Sequence, residues 1–101
     1  EWDARGDLGC ARGGQPMQTA GCPFKVIRYR VEDGATVFVQ GAASWRQAGK
    51  NSRGERILYY QKGEWSTPTS DPVSVSKRDD LWTVTVGEEV YEIPEAVVFG
   101  G

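Results

Sequence analysis

Residues 81–93, Leu-Trp-Thr-Val-Thr-Val-Gly-Glu-Glu-Val-Tyr-Glu-Ile, decide the fold class. β-Branched and aromatic residues alternate with polar ones on both sides of Gly87-Glu88, the period-two pattern of a half-buried strand. A Gly-X pair at the centre suits a type II′ turn, whose twist matches that of the flanking strands. The spacing predicts a hairpin joining Leu81–Val86 to Glu89–Ile93. Its register sets Trp82 opposite Ile93 and Val84 opposite Tyr91 on one face. Thr83 and Thr85 fall with Glu92 and Val90 on the other.

The same signal recurs upstream. Glu55–Gln61 reads as a strand, and Lys62-Gly63 as a tight turn that sets Tyr60 opposite Trp65, a favourable aromatic pair. Pro68 and Pro72 mark 66–72 as a connection, and Val73–Lys77 reads as a short strand. Phe24–Val31 and Ala35–Gln40 flank Glu32-Asp33-Gly34. A three-residue loop there pairs Val31 with Ala35, Tyr29 with Val37 and Ile27 with Val39, gathering apolar partners on one face. Arg28 and Arg30 then share the opposite face with Phe24 and Val26. Residues 96–99 read as a last docked apolar strand. Residues 1–23, punctuated by Gly6, Gly9, Gly13, Gly14, Pro16, Gly21 and Pro23, read as irregular. No window shows the i, i+3, i+4, i+7 apolar spacing of a helix. The expectation is an all-β domain, a small antiparallel sandwich or barrel of about seven short strands. An irregular N-terminal segment, 1–23, would precede a β meander, 24–101.

The chain has 101 residues, which fits one domain. It has no histidine, which removes Ser-His-Asp and Cys-His nucleophile pairs, an imidazole base and His-ligated zinc. The net charge of −2 hides an asymmetry. Residues 1–63 carry 10 basic and 6 acidic side chains, and residues 64–101 carry 2 and 8, so +4 offsets −6. Either the charges mix on one surface or they make a two-faced one. A sequence pI near 5.1 argues against a nucleic-acid partner. No run approaches a membrane span of about 20 apolar residues.

Cys10 and Cys22 enclose a segment without apolar periodicity and form no C-x-x-C. A disulfide is the favoured reading, stapling a segment that cannot hold itself by strand pairing. Its loop is worth about 3 kcal/mol in the chain-entropy model. A disulfide implies an oxidising compartment, hence a periplasmic or secreted protein. The rival reading is two free thiols in a cytosolic one. The start at Glu1 fits either a mature form after signal-peptide removal or a trimmed chain.

Two stretches carry a resemblance. One is Tyr91-Glu92-Ile93-Pro94-Glu95-Ala96-Val97-Val98-Phe99-Gly100-Gly101. The other is Cys22-Pro23-Phe24-Lys25-Val26 followed by Gly34-Ala35-Thr36-Val37. Together they resemble small secreted or periplasmic bacterial proteins with a cysteine-bearing N-terminal segment and a β meander ending in Y-E-I-P-x-A-V-x-F-G-G. The likeness covers the two ends of the chain, and Trp45–Arg53 stands as an insertion against it. It implies compartment and fold, and it transfers no site residues.

Candidate chemistry is sparse. Gly100-Gly101 is the ending of ubiquitin-like carriers, but no segment reads as the central helix of that fold. Asp79-Asp80 and Glu88-Glu89 sit in predicted turns as solvated charges, and neither matches a calcium loop. No phosphate loop, metal site or cofactor site is supported. Trp65 and Trp82 read as core, and Tyr59 and Tyr60 point to opposite faces. Trp2 is placed over an open edge. The 41–54 loop carries Trp45, Arg46, Lys50 and Arg53, a tryptophan among cations suited to an acidic protein surface, an anionic glycan or a single nucleic-acid strand; the alternative is that Trp45 folds back over the sheet and the cations are solvated. The expected role is a non-catalytic binding or accessory one, inhibitor-like, with a protein or glycan partner. The alternatives are a histidine-independent carboxylate enzyme and an assembly subunit that pairs through a sheet edge.

Overall fold

A computed structural model of the chain describes residues 2–29, 34–40 and 55–100. Eight strands lie along it: β1 (Ala4–Arg12), β2 (Gln18–Arg28), β3 (Ala35–Gln40), β4 (Glu55–Gln61), β5 (Glu64–Ser66), β6 (Val73–Arg78), β7 (Leu81–Val86) and β8 (Glu89–Pro94). A short helix, α1 (Glu95–Phe99), follows them. The strands form one antiparallel sheet in the order β5-β4-β3-β2-β1-β8-β7-β6. The sheet curls until its outermost strands, β5 and β6, approach each other, giving a nearly closed barrel. The all-β expectation therefore holds in its barrel form.

The local hairpins form as their turn residues dictate. Trp82 pairs with Ile93, Val84 with Tyr91, and Tyr60 with Trp65, each in the expected register. Gly87 has φ +59° and Glu88 is not among the positive-φ residues, the pattern of a type II′ turn. Lys62 and Gly63 both have positive φ, at 52° and 83°, as a type I′ turn requires.

Four expectations need correction. Residues 1–23 are not irregular, because most of them belong to β1 and β2. Of the glycines that suggested loop, Gly13 and Gly14 do turn the chain between β1 and β2, with φ +61° and +79°, but Gly6, Gly9 and Gly21 lie in the strands and pack closely. A Cβ on Gly6 would stand 2.9 Å from the Phe24 ring on the neighbouring strand. With β1 added and β2 so extended, the described residues hold eight strands.

The β2–β3 register also differs. Val26, not Tyr29, faces Val37, and Phe24, not Ile27, faces Val39. Arg28 and Ala35 close the ladder, so residues 29–34 make the connection. A three-residue slip is odd and inverts the faces. Val26 is fully buried and Tyr29 is exposed.

Residues 95–99 are helical rather than a strand. Pro94 pairs with Leu81 at the end of β8 and serves as the helix N-cap, with φ −64° and ψ 149°. α1 closes the upper end of the barrel, where β4 and β8 finish, and buries Val97 and Val98 there. The Arg28 guanidinium donates from Nε to the Val97 carbonyl and from Nη2 to the Ala96 carbonyl, both at 3.1 Å.

The Cys10–Cys22 disulfide is present, with both cysteines fully buried. It does not staple an unpaired segment. It cross-links β1 to β2 inside the core, where the register shifts between Leu8↔Cys22 and Cys10↔Gln18. Gly9 alone stands against residues 19–21 there. An even slip leaves the same side chains facing inward, so hydrophobic patterning cannot choose between the two registers. The covalent link does.

Candidate functional site

The barrel interior divides into a polar lower end, an aliphatic middle and an aromatic upper end. Val37, Val39, Leu58, Val84 and Val86 fill the middle and are fully buried. Arg56 at the start of β4 and Glu89 at the start of β8 meet across the lower end. Arg56 Nε donates to Glu89 Oε1 and Nη2 to Oε2, each at 2.9 Å. Arg56 Nη1 donates to Asp71 Oδ2 at 3.1 Å and to Thr69 Oγ1 at 3.0 Å. The Tyr91 hydroxyl donates to Glu89 Oε1 at 2.6 Å, and Thr69 Oγ1 to Asp71 Oδ2 at 2.6 Å.

Burial works against the Arg56 charge, but hydrogen bonds to Glu89 and Asp71 and their negative charges outweigh it, so its pKa lies above the ordinary value. Burial, then the bond to Glu89 and its charge, raise the Tyr91 pKa well above that of a free phenol. Arg56 draws it back only in part. Arg56 thus serves two carboxylates, the buried Glu89 and the partly exposed Asp71. The chemistry of the cluster is that of a clasp joining β4, β8 and the 67–72 connection.

The upper end is different. Tyr60, Trp65, Trp82 and Phe99 form one aromatic cluster with ring centroids 4.9–5.9 Å apart. Phe99, delivered by α1, remains 50 % exposed. Lys77 Nζ stands 5.1 Å from the Trp82 ring centroid and is ion-paired with Glu95. Beside the cluster, a half-open cleft of about 390 Å³ is lined by Gln61, Lys62, Glu64, Trp65 and Ser66. Trp65 is 6 % exposed, and its Nε1–H is buried with no hydrogen-bond partner among the described residues. A buried donor left unmade costs about 1–3 kcal/mol, and the residue that carries it also lines the cleft.

A smaller cleft of about 240 Å³ lies on the outer side of β1–β4, lined by Arg5, Phe24, Lys25, Phe38 and Glu55 among others. Trp2 packs edge-on against Phe38 at 5.2 Å, on a strand face rather than an edge. Lys25 lies over the Trp2 ring at 4.3 Å and pairs with Glu55 at 3.3 Å. These polar groups are already engaged with one another.

Trp45, Arg46, Lys50 and Arg53 lie outside the described residues, as does Gly101. Gln40 and Glu55, which flank 41–54, pair with each other at the lower end. Trp65 and Trp82 are core, as expected, and Tyr59 and Tyr60 take opposite faces. Asp79 and Asp80 are exposed in the β6–β7 turn, and Glu88 is exposed beside Gly87. Glu89 corrects the expectation of a solvated turn charge. It is 4 % exposed and bound to Arg56. Among the described residues, no group of three or more acidic or cysteine side chains is placed to hold a metal.

Sequence reasoning missed Arg56 and Phe99. A lone arginine in a strand reads as solvated, and its partner is 33 positions away. Phe99 joins the cluster only because α1 turns it back over the barrel. The Tyr60–Trp65 cross-strand pair was the one available pointer to the aromatic end.

No protein-family model, curated protein or solved structure matches the chain.

Proposed function

We propose that this chain is a non-catalytic binding domain of a secreted or periplasmic protein, with its contact site at the aromatic end of the barrel. The observation that carries this reading is that Trp65, whose buried indole N–H has no hydrogen-bond partner among the described residues, lines a half-open cleft. A binding cleft characteristically combines apolar walls with a few placed polar groups. Phe99 adds exposed apolar area next to it. The compartment rests on the core disulfide, which persists in oxidising surroundings. The bland role of the Arg56–Glu89 clasp supports a non-catalytic reading, since its groups are engaged in holding the fold.

The test is affinity capture from the native extract on the immobilised chain. Phe99→Ala combined with Lys62→Ala should reduce retention of the captured partner at least tenfold. Tyr59→Ala, on the outer face, should leave it unchanged. Equal retention by all variants would overturn the site. Loss confined to Trp45→Ala with Arg46→Ala would move the site to the 41–54 loop.

A further inference from the structure

We propose that the cleft on the outer wall of β1–β4 is a second binding site, separate from the aromatic end, and that it takes a small aromatic carboxylic acid. Alternation along the strands places its walls. Ala4 pairs with the fully buried Val26, so the next pair, Arg5 and Lys25, stands on the outer face. Phe38 pairs with Lys25 and lies between the fully buried Val37 and Val39, so it also points outward. Gln40 and Glu55 pair with each other on that same face, two residues further along β3 and β4. These side chains, with Pro23, line the cleft.

The charges of the cleft are unevenly matched. Arg5 and Lys25 stand directly opposite each other in the β1–β2 ladder, and like charges so placed destabilise a sheet. Lys25 is answered twice. Its Nζ pairs with Glu55 at 3.3 Å and lies 4.3 Å from the Trp2 ring centroid. Arg5 makes no ion pair or side-chain hydrogen bond among the described residues. Asp7, two residues along β1 on the same face, forms no ion pair with it. The cleft thus holds one guanidinium that no described residue neutralises. A guanidinium takes a carboxylate through two parallel hydrogen bonds, which fix its orientation as well as its charge.

The rest of the lining selects the body of the ligand. Phe38 is half-buried and braced edge-on by Trp2 at 5.2 Å, and Pro23 is exposed. Both offer apolar surface beside the cation, and an aromatic ring packs well on another at an offset or edge-on. The cleft has a volume of about 240 Å³. Benzene is held by a cavity of about 150 Å³, and pockets for drug-sized ligands run from about 300 to 1,000 Å³. One ring with a short acidic arm falls between these sizes. An inorganic anion would leave Phe38 and Pro23 unused, and an aryl cation would meet Arg5 with like charge.

The test titrates the intact chain with phenylacetate, acetate and phenethylammonium, followed by two-dimensional NMR. Phenylacetate should shift the amide resonances of Arg5, Lys25 and Phe38 saturably, and bind at least tenfold more tightly than either of the others. Arg5→Gln changes an exposed position. It should weaken phenylacetate at least fivefold while the resonances of Val37 and Leu58 stay in place. Asp7→Asn, which removes a nearby negative charge, should not weaken it. No saturable shift, equal binding of acetate or of phenethylammonium, or unchanged binding to folded Arg5→Gln would overturn the proposal. A loss with Asp7→Asn as large as that with Arg5→Gln would also overturn it, since the wall and not the cation would then be responsible. If Arg5→Gln does not fold, the comparison of the three ligands decides alone. Partner capture that depends on Phe99 and Lys62 tests the aromatic end separately, so either site can fail while the other stands.

Discussion

Arg56 and Glu89 form a bidentate ion pair through the inside of the barrel, between strands that are not neighbours in the sheet. The pair sits where the aliphatic core gives out, and it ties the 67–72 connection to the lower end through Asp71 and Thr69. Buried pairs of this kind add little net stability, yet losing one partner strands a charge in a dry interior.

Arg56→Leu should therefore destabilise the domain by about 3–5 kcal/mol, and Glu89→Leu by a similar amount. The double replacement should recover much of that loss. Urea unfolding of the two single variants and the double variant checks it. Additive losses would show that the two residues act independently.

The raised Tyr91 pKa has a consequence in alkali. The folded state holds this proton more tightly than the unfolded chain, whose tyrosines ionise near pH 10. Stability from this group is complete below that pH and falls as the pH rises toward the folded-state value. The slope reaches about 1.4 kcal/mol per pH unit. Tyr91→Phe should remove this component of the alkaline loss. Urea midpoints from pH 8 upward, compared between the two proteins, measure it.

Reduction should cost about 3 kcal/mol, the loop-closure value for so short a loop. Because the bond crosses a register shift, Cys10→Ala with Cys22→Ala should also broaden amide resonances of Leu8 to Gly21 more than those of β7. Intact mass after alkylation, with and without prior reduction, confirms the linkage. Two-dimensional NMR of the variant reads the second effect.

Arg28→Gln should loosen α1 while the barrel persists. Hydrogen bonds from a charged donor are worth about 1.5–3 kcal/mol, and Arg28 supplies two to carbonyls of the helix. Hydrogen exchange at residues 97–100 should speed several-fold, with exchange at Val37 and Leu58 unchanged. Equal acceleration in both regions would mean that α1 does not open separately.

Legibility followed the range of the interactions. The turns at Lys62-Gly63 and Gly87-Glu88 specify their registers within a few residues, and both were readable. The β2–β3 register was not. Residues 24–29 are apolar on both alternating sets, Phe24 and Val26 in one and Ile27 and Tyr29 in the other, so alternation does not fix parity. Glu32-Asp33-Gly34 then favoured a short loop in place of the 29–34 connection. The β-branched run in 96–99 argued for strand, and tertiary docking with the Arg28 cap overrode it. The lower-end clasp joins residues 33 positions apart, and no local pattern encodes such a meeting.

β1 lies between β2 and β8, so Cys10 neighbours Tyr91 in the sheet. β1 must therefore wait for β8 before the barrel can close. A nascent chain holding only 1–80 lacks β7 and β8, and its central strand has one open side. Non-local pairing of this kind is slow to form. Closure of the barrel thus coincides with the pairing of β8 to β1 and the docking of β7, and a chain that ends before them keeps an open sheet.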